Sequence, residues 1–283
     1  MKKNIKVIVA GVVVAVIGLV VLLCALGMSG WSFSRVNDWQ EDTFSSDAAI
    51  SKLKVQVNVG QVYIQYGSVE NVRVKYEFND NYQPQISERA GVLTVETART
   101  QWYDFGLWFG NAPTIEITVP HELKPQIDLE VNAGTANLGD GDWGNYVKVE
   151  LNAGKMSIGD VIVGELYVGI NAGELSANKI QCDKLRCYLS AGKFNATDIA
   201  CDEFYCELSA GRATVNRLGA YNVTIELSAG KVNLGLVGEQ TDYNVRVSKS
   251  AGKCNVSNRT DASASRRLDV DLSAGTVNVS FGK

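Results

Sequence analysis

The sequence is poor in histidine: His121 is the only one in 283 residues. It follows Pro120 in what reads as a turn, so a Ser/His/Asp or Cys/His nucleophilic set has nothing to build on. Positive charge is also scarce. Beyond the first 30 residues, 24 Lys plus Arg face 31 Asp plus Glu, a balance of −7 that leaves no basic footprint for nucleic acid. The first 30 residues lack the other sign, with Lys2, Lys3 and Lys6 and no acid.

Residues 7–28 lack charge altogether. As a helix these 22 residues would be about 33 Å long, against a hydrocarbon core of about 30 Å, so the stretch is expected to span a membrane. Gly27-Met28-Ser29 is a poor cleavage site, and Cys24 follows Leu22-Leu23 rather than the small residue that lipoprotein processing wants. An uncleaved anchor is therefore expected over a removed signal. With lysines on its leading side, the positive-inside rule leaves residues 1–6 in the cytoplasm. The rest of this single-pass cell-membrane protein would lie outside the cell. Residues 29–48 are polar and read as a stalk, where Trp31, Phe33 and Trp39 suit either the membrane interface or the cap of the next domain.

What is abundant is one short phrase. LEVNAG, VELNAG, VGINAG, CYLSAG, CELSAG, IELSAG, VSKSAG and VDLSAG end at Gly134, Gly154, Gly173, Gly192, Gly211, Gly230, Gly252 and Gly275, in steps of 20, 19, 19, 19, 19, 22 and 23 residues. A fixed period in this range marks a solenoid. Residues one, three and five before each glycine are mostly apolar, as are those two and four after it. That is the alternation of half-buried strands with a corner between them. Glycine at the corner is expected to supply a positive φ, with the small alanine beside it tucked inside the bend. A third inward set, such as Val163 and Leu166 or Cys201 and Phe204, completes a three-strand coil. The expected fold is all-β, a parallel β-helix in which successive coils stack in sequence order.

Outward positions repeat as well. Asn or Ser precedes every Ala-Gly, and Asn137, Ser157, Ser176, Asn195, Thr214, Asn233, Asn255 and Asn278 stand three after the glycine. Such lines read as hydrogen-bonded structural ladders. A basic line (Lys155, Lys193, Arg212, Lys231, Lys253) beside an acidic one (Glu130, Glu150, Glu207, Glu226, Asp271) reads as mutually compensating solvated faces.

The regular repeats occupy residues 129–283, and less regular coils occupy 49–128. Val55, Val57, Val62 and Ile64 around Gly60, Leu93 and Val95 after Gly91, and the strand 114–120 all obey the coil rule. Roughly eleven coils result, a rod about 50 Å long. Residues 101–110, QWYDFGLWFG, are the densest aromatic stretch outside the anchor. Trp102, Tyr103, Phe105, Trp108 and Phe109 are expected either to cover the helix or to bind a sugar or membrane surface. After Gly275 the final coil looks bare except for Phe281, which points to self-association or a partner at that end.

Cys182 and Cys201 are one period apart, as are Cys187 and Cys206. Core thiols, disulfides between neighbouring coils and a four-thiolate metal site are all open, with the core favoured because flanking coils hold Val163, Ala220, Val168 and Ile225 at the same places. The stacked carboxylates Asp140 and Asp160, and Asp183 and Asp202, do not converge with a base. GDGD at 139–142 is at best a weak calcium turn. No cofactor and no resident metal are expected.

With the anchor, the Phe44, Ile50, Leu53 and Val55 opening, the I-x-V-P strand at 117–120 and the recurring LSAGK phrases together, residues 40–283 resemble the bacterial putative-adhesin family of β-strand-repeat proteins, a domain of unknown function. The resemblance implies a right-handed β-helix on a bacterial surface, and some members are encoded in envelope-stress operons. The expected function is a membrane-tethered, non-enzymatic scaffold that binds cell-wall glycan or an envelope protein. A glycan-active lyase or hydrolase is the alternative.

Overall fold

The computed structural model describes residues 39–79, 82–97 and 113–282. The expected membrane span 7–28 and the aromatic stretch 101–110 lie outside them. Among the described residues no helix is long and apolar enough to cross a membrane. The one helical turn among them is Gln240–Asp242, and the rest of the regular structure is strand.

The inward alternation holds. Residues five and three before the glycine, such as Val149 and Leu151 or Cys206 and Leu208, are buried, and so are those two and four after it, such as Met156 and Ile158 or Val277 and Val279. The third set, Val163 with Leu166, Cys182 with Leu185 and Cys201 with Phe204, is buried too. One layer thus presents about seven side chains to a dry interior, shared with the layers on either side.

Layers pair in parallel and in register. Gly60 stands against Gly134, and Gly134 against Gly154. At Gly154, where φ is +114°, an added Cβ would lie 2.0 Å from the carbonyl oxygen of Gly134. Glycine is required there twice over, by the backbone angle and by the close approach of the next coil. Positive φ is not general: Gly173 and Gly192 do not have it. They are still glycines because the neighbouring carbonyl oxygen stands 2.7 and 2.9 Å from where a Cβ would be.

The alanines depart from expectation. Ala153, Ala172, Ala191, Ala210, Ala229, Ala251 and Ala274 are exposed, not tucked inside. The chain turns before it reaches them, so the last inward side chain is the one three before the glycine. Small size suits a corner where coils stack most closely.

The order of the layers also differs from the order of the chain. Lys231–Leu236 pairs with Thr276–Ser280, which pairs in turn with Lys253–Cys254. On the adjoining face Arg266–Leu272 lies between 222–227 and Tyr243–Lys249. The last repeat is therefore inserted one layer in from the end. The other end mirrors this: Lys52–Val57 lies between Val92–Glu96 and Gln126–Val131, and Gly60–Gly67 between Thr114–Pro120 and Gly134–Leu138. The segment 52–67 and the C-terminal strands within 266–280 are each held by ladders on two sides, with 92–96 and 114–120 outside the first and 243–254 outside the second.

Those end layers are closed. Gln40–Ser45, expected within the stalk, is a strand pairing antiparallel with Arg73–Phe78, which pairs antiparallel with Thr114–Pro120. It is polar because it is an edge strand, with only Phe44 packed on the core. Tyr82 and Tyr243, both fully buried, plug the two ends. Trp39 meets the Tyr82 ring edge-on at 5.8 Å, and Phe281 packs on Tyr243 at 5.5 Å. The Tyr243 hydroxyl donates to the Val237 carbonyl at 2.8 Å and accepts from Arg266 at 3.1 Å. Beyond Tyr243–Lys249, an antiparallel bridge between Val245 and Arg259 ends the ladder. The final phrase is thus not a bare last coil.

The expected ladder before Ala-Gly forms from Asn58 to Ser190, while on the line after the glycine Asn195 turns to Glu174 and Asn255 to the Val279 carbonyl. Asn132 donates to Asn58 at 2.9 Å, Asn152 to Asn132 at 2.7 Å, Asn171 to Asn152 at 2.5 Å and Ser190 to Asn171 at 3.2 Å. On the other line Asn137 donates to Ser157 at 2.7 Å and Asn278 to Asn233 at 2.9 Å, which again shows the inserted layer. Charge compensation runs between other residues than the two expected lines, through pairs such as Lys184 with Glu203, Arg186 with Glu165 and Arg217 with Asp198.

Candidate functional site

The third strands of four successive coils, at 162–163, 181–183, 200–202 and 219–221, carry a surface groove of about 550 Å³. Along it, inward Val163, Cys182, Cys201 and Ala220 alternate with outward neighbours on either side. One wall runs Ile162, Gln181, Ala200 and Gly219, and it falls away where Ala200 and Gly219 leave room. The other wall includes Asp183, Asp202 and Tyr221. Arg266 closes one end, its guanidinium 5.6 Å over the Tyr243 ring. Ile162 and Tyr221, 49% and 56% exposed, are the two large apolar side chains left open to solvent among the described residues, and both line this groove. The two stand on opposite walls at the two ends of the groove, three layers apart.

The cysteines stack as their spacing implied. Cys182 lies in hydrogen-bond contact with Cys201, and Cys187 with Cys206; all are free thiols. The contact with Cys201, followed by burial, pushes the Cys182 thiol up from its ordinary range. Burial, followed by the contact with Cys206, does the same for Cys187. Among the described residues no three His, Cys, Asp or Glu side chains converge as a metal site. The two pairs share one layer interface without forming a four-sulfur cage, since Cys182 and Cys201 border the groove and Cys187 and Cys206 lie in the sealed core.

A second, smaller hollow of about 230 Å³ is lined by Tyr66, His121, Lys124, Asp140 and Asp142. It looks like acid–base machinery, but its groups are occupied. The Tyr66 ring is stacked between Trp143 at 4.2 Å and His121 at 5.6 Å. Its hydroxyl faces the carbonyls of Asp142 at 2.5 Å and Leu123 at 3.1 Å. Burial and then the Asp142 charge push this phenol up to about 12. The Lys124 ammonium, then the Gly144 N–H, hold the Asp142 carboxyl below its usual range. Asp140 accepts the Asp160 N–H at 2.7 Å, so the weak calcium turn is a hydrogen-bonded corner. This hollow reads as a locked turn.

Of the residues singled out from sequence, the eight corner glycines are brought into one column together with Gly60, and the four cysteines into two pairs. Trp102, Tyr103, Phe105, Trp108 and Phe109 lie outside the described residues. Sequence reading missed the groove walls Ile162 and Tyr221. The available signal was an apolar residue at an outward position, next to a line that shrinks to Ala200 and Gly219.

The sequence pattern of the Toastrack DUF4097 family matches residues 50–280. No curated protein matches the sequence. Two crystal structures share the fold. One, described as a putative adhesin from Bacteroides fragilis, is 10% identical, with a TM-score of 0.59 and coverage of 88% of this chain and 100% of that one. The other, described as a putative adhesin from Parabacteroides merdae, is 14% identical, with a TM-score of 0.50 and coverage of 88% and 98%.

Proposed function

The chain belongs to the Toastrack DUF4097 family, and from that premise we propose that it is a non-enzymatic binding scaffold of the bacterial cell surface. Residues 7–28 anchor it in the cell membrane, and a right-handed solenoid of roughly eleven coils projects outside the cell toward wall glycan or an envelope protein. The observation that carries this reading is the groove, whose two ends are lined by Ile162 and Tyr221. The description of the two similar folds as adhesins agrees with it. Of the stacked carboxylates, Asp140 accepts the Asp160 N–H and Asp160 accepts from the Asn178 amide, which commits that pair to the corner rather than to acid–base work on a glycan. Pairing of two copies at the C-terminal end of the solenoid would run through residues 243–254, which form that end layer.

The test uses the full chain with insoluble bacterial wall polysaccharide. Retention of the protein on the wall material without release of reducing ends is expected. The variant carrying Ile162→Ser and Tyr221→Ala should melt like the parent and lose retention. Released reducing ends would make the protein an enzyme, and retention unchanged in the variant would move binding away from the groove.

A further inference from the structure

Two cysteine pairs of the same spacing sit in different surroundings. Cys187 and Cys206 are fully buried, at 0% exposure each, behind the wall of the coil. Cys182 and Cys201, 9% and 7% exposed, border an open groove. The latter sulfurs are already in contact, and their Cα atoms are one coil apart, about 4.8 Å, within the range that a disulfide spans. The charges acting on Cys182 are those of Asp183 and Asp202, one on each coil, while the one cation of the groove lining, Arg266, stands at its end over Tyr243.

We infer that Cys182 and Cys201 form a thiol–disulfide exchange site on the groove, selective for small cationic disulfides, while Cys187 and Cys206 take no part. The inference is independent of what the groove binds as a scaffold. The thiolate of one cysteine attacks a sulfur of the incoming disulfide, forming a mixed disulfide and expelling one thiolate, which takes up the proton that the cysteine released. The second cysteine then attacks the protein-side sulfur of the mixed disulfide. The second small thiol leaves with that cysteine's proton, and the Cys182–Cys201 bond is formed. Two electrons pass from the pair to the small disulfide, which becomes two thiols. The contact with Cys201, then burial, keeps the Cys182 thiolate scarce, so attack by Cys182 is slow at neutral pH. The second step is fast because its partner is already in place. The two carboxylates attract an ammonium-bearing reagent and repel a carboxylate-bearing one.

The experiment treats the full chain at pH 8.5 with cystamine, a cationic disulfide, or with oxidised glutathione, an anionic one, and maps the cysteines by peptide mass. Cystamine should yield a Cys182–Cys201 cross-link two hydrogens lighter than the reduced peptides, at least about tenfold faster than glutathione does. Cys187 and Cys206 should react only after denaturation. Cys254, which has no neighbouring thiol in the stack, should keep its adduct and report that reagent was present. In Cys201→Ser the adduct on Cys182 should persist. Asp183→Asn with Asp202→Asn should remove the preference between reagents. Equal labelling of both pairs, adducts on Cys182 or Cys201 that never close, or no reaction there while Cys254 is labelled would each overturn the site. Equal rates with the two reagents would overturn its charge selectivity.

Discussion

Replacing Gly154 by Ala tests the stacking directly. The residue has φ +114°, and the new methyl carbon would be placed 2.0 Å from the Gly134 oxygen and 3.0 Å from its carbonyl carbon and nitrogen. None of those is a side chain that could swing aside. Holding a non-glycine residue at that φ costs about 1–3 kcal/mol. Relieving the overlap by moving packed backbone costs about 1–3 kcal/mol more. Alanine gives back about 0.4–1 kcal/mol by restricting the unfolded chain. The net loss is about 1–6 kcal/mol, or a fall in Tm of roughly 2–20 °C for a domain of this size. Gly219→Ala is the control. It has no positive φ, and its nearest neighbour would be 3.7 Å away, so only the unfolded-state gain remains and Tm should hold or rise slightly. Both are read by thermal circular dichroism on the same chain. If Gly154→Ala melts within about 2 °C of the parent, the close approach of successive coils is wrong.

Asn152→Ala removes one link from the ladder, its bonds to Asn132 and Asn171, and because water reaches these amides it should cost about 0.5–1.5 kcal/mol in a denaturant melt. Asp142 has a lowered folded pKa, so its contribution is present above the unfolded carboxylate range and lost as pH falls through the folded value. Lys124→Met should therefore flatten the acid limb of the stability profile below about pH 4. Tyr66 has a raised folded pKa, so its contribution is present below the unfolded value near 10 and disappears as pH rises toward about 12; Tyr66→Phe should remove one late step from the phenolate absorbance titration. On intact cells, added protease should degrade residues 39–282 and leave the N-terminal segment with the membrane; a fully protected chain would place the solenoid inside.

Much of the coil was legible because its physics is local. An inward residue must be apolar wherever the strand alternates, so Val149, Leu151, Met156 and Ile158 announce themselves. Alanine misleads because it is small enough for either side, and only the position of the bend decides. Layer order is harder to see, since each phrase looks able to stack on any other. One residue did carry the clue. Where internal coils place an apolar side chain three before the glycine, the Gly252 coil has the exposed Lys249, while the Gly275 coil keeps buried Leu272. A coil with one side open to water tolerates lysine there, and a coil covered on both sides does not. The groove was obscure for a related reason: its floor follows the core rule, and only the walls differ.

Hydrogen–deuterium exchange with and without wall polysaccharide tests the central claim most directly, that equivalent strands line up to form one binding face. Protection should recur one period apart, in peptides covering 161–166, 180–185, 199–204 and 218–222, and leave the other two faces of the coil unchanged. Protection confined to 101–110, or spread without that period, would contradict it.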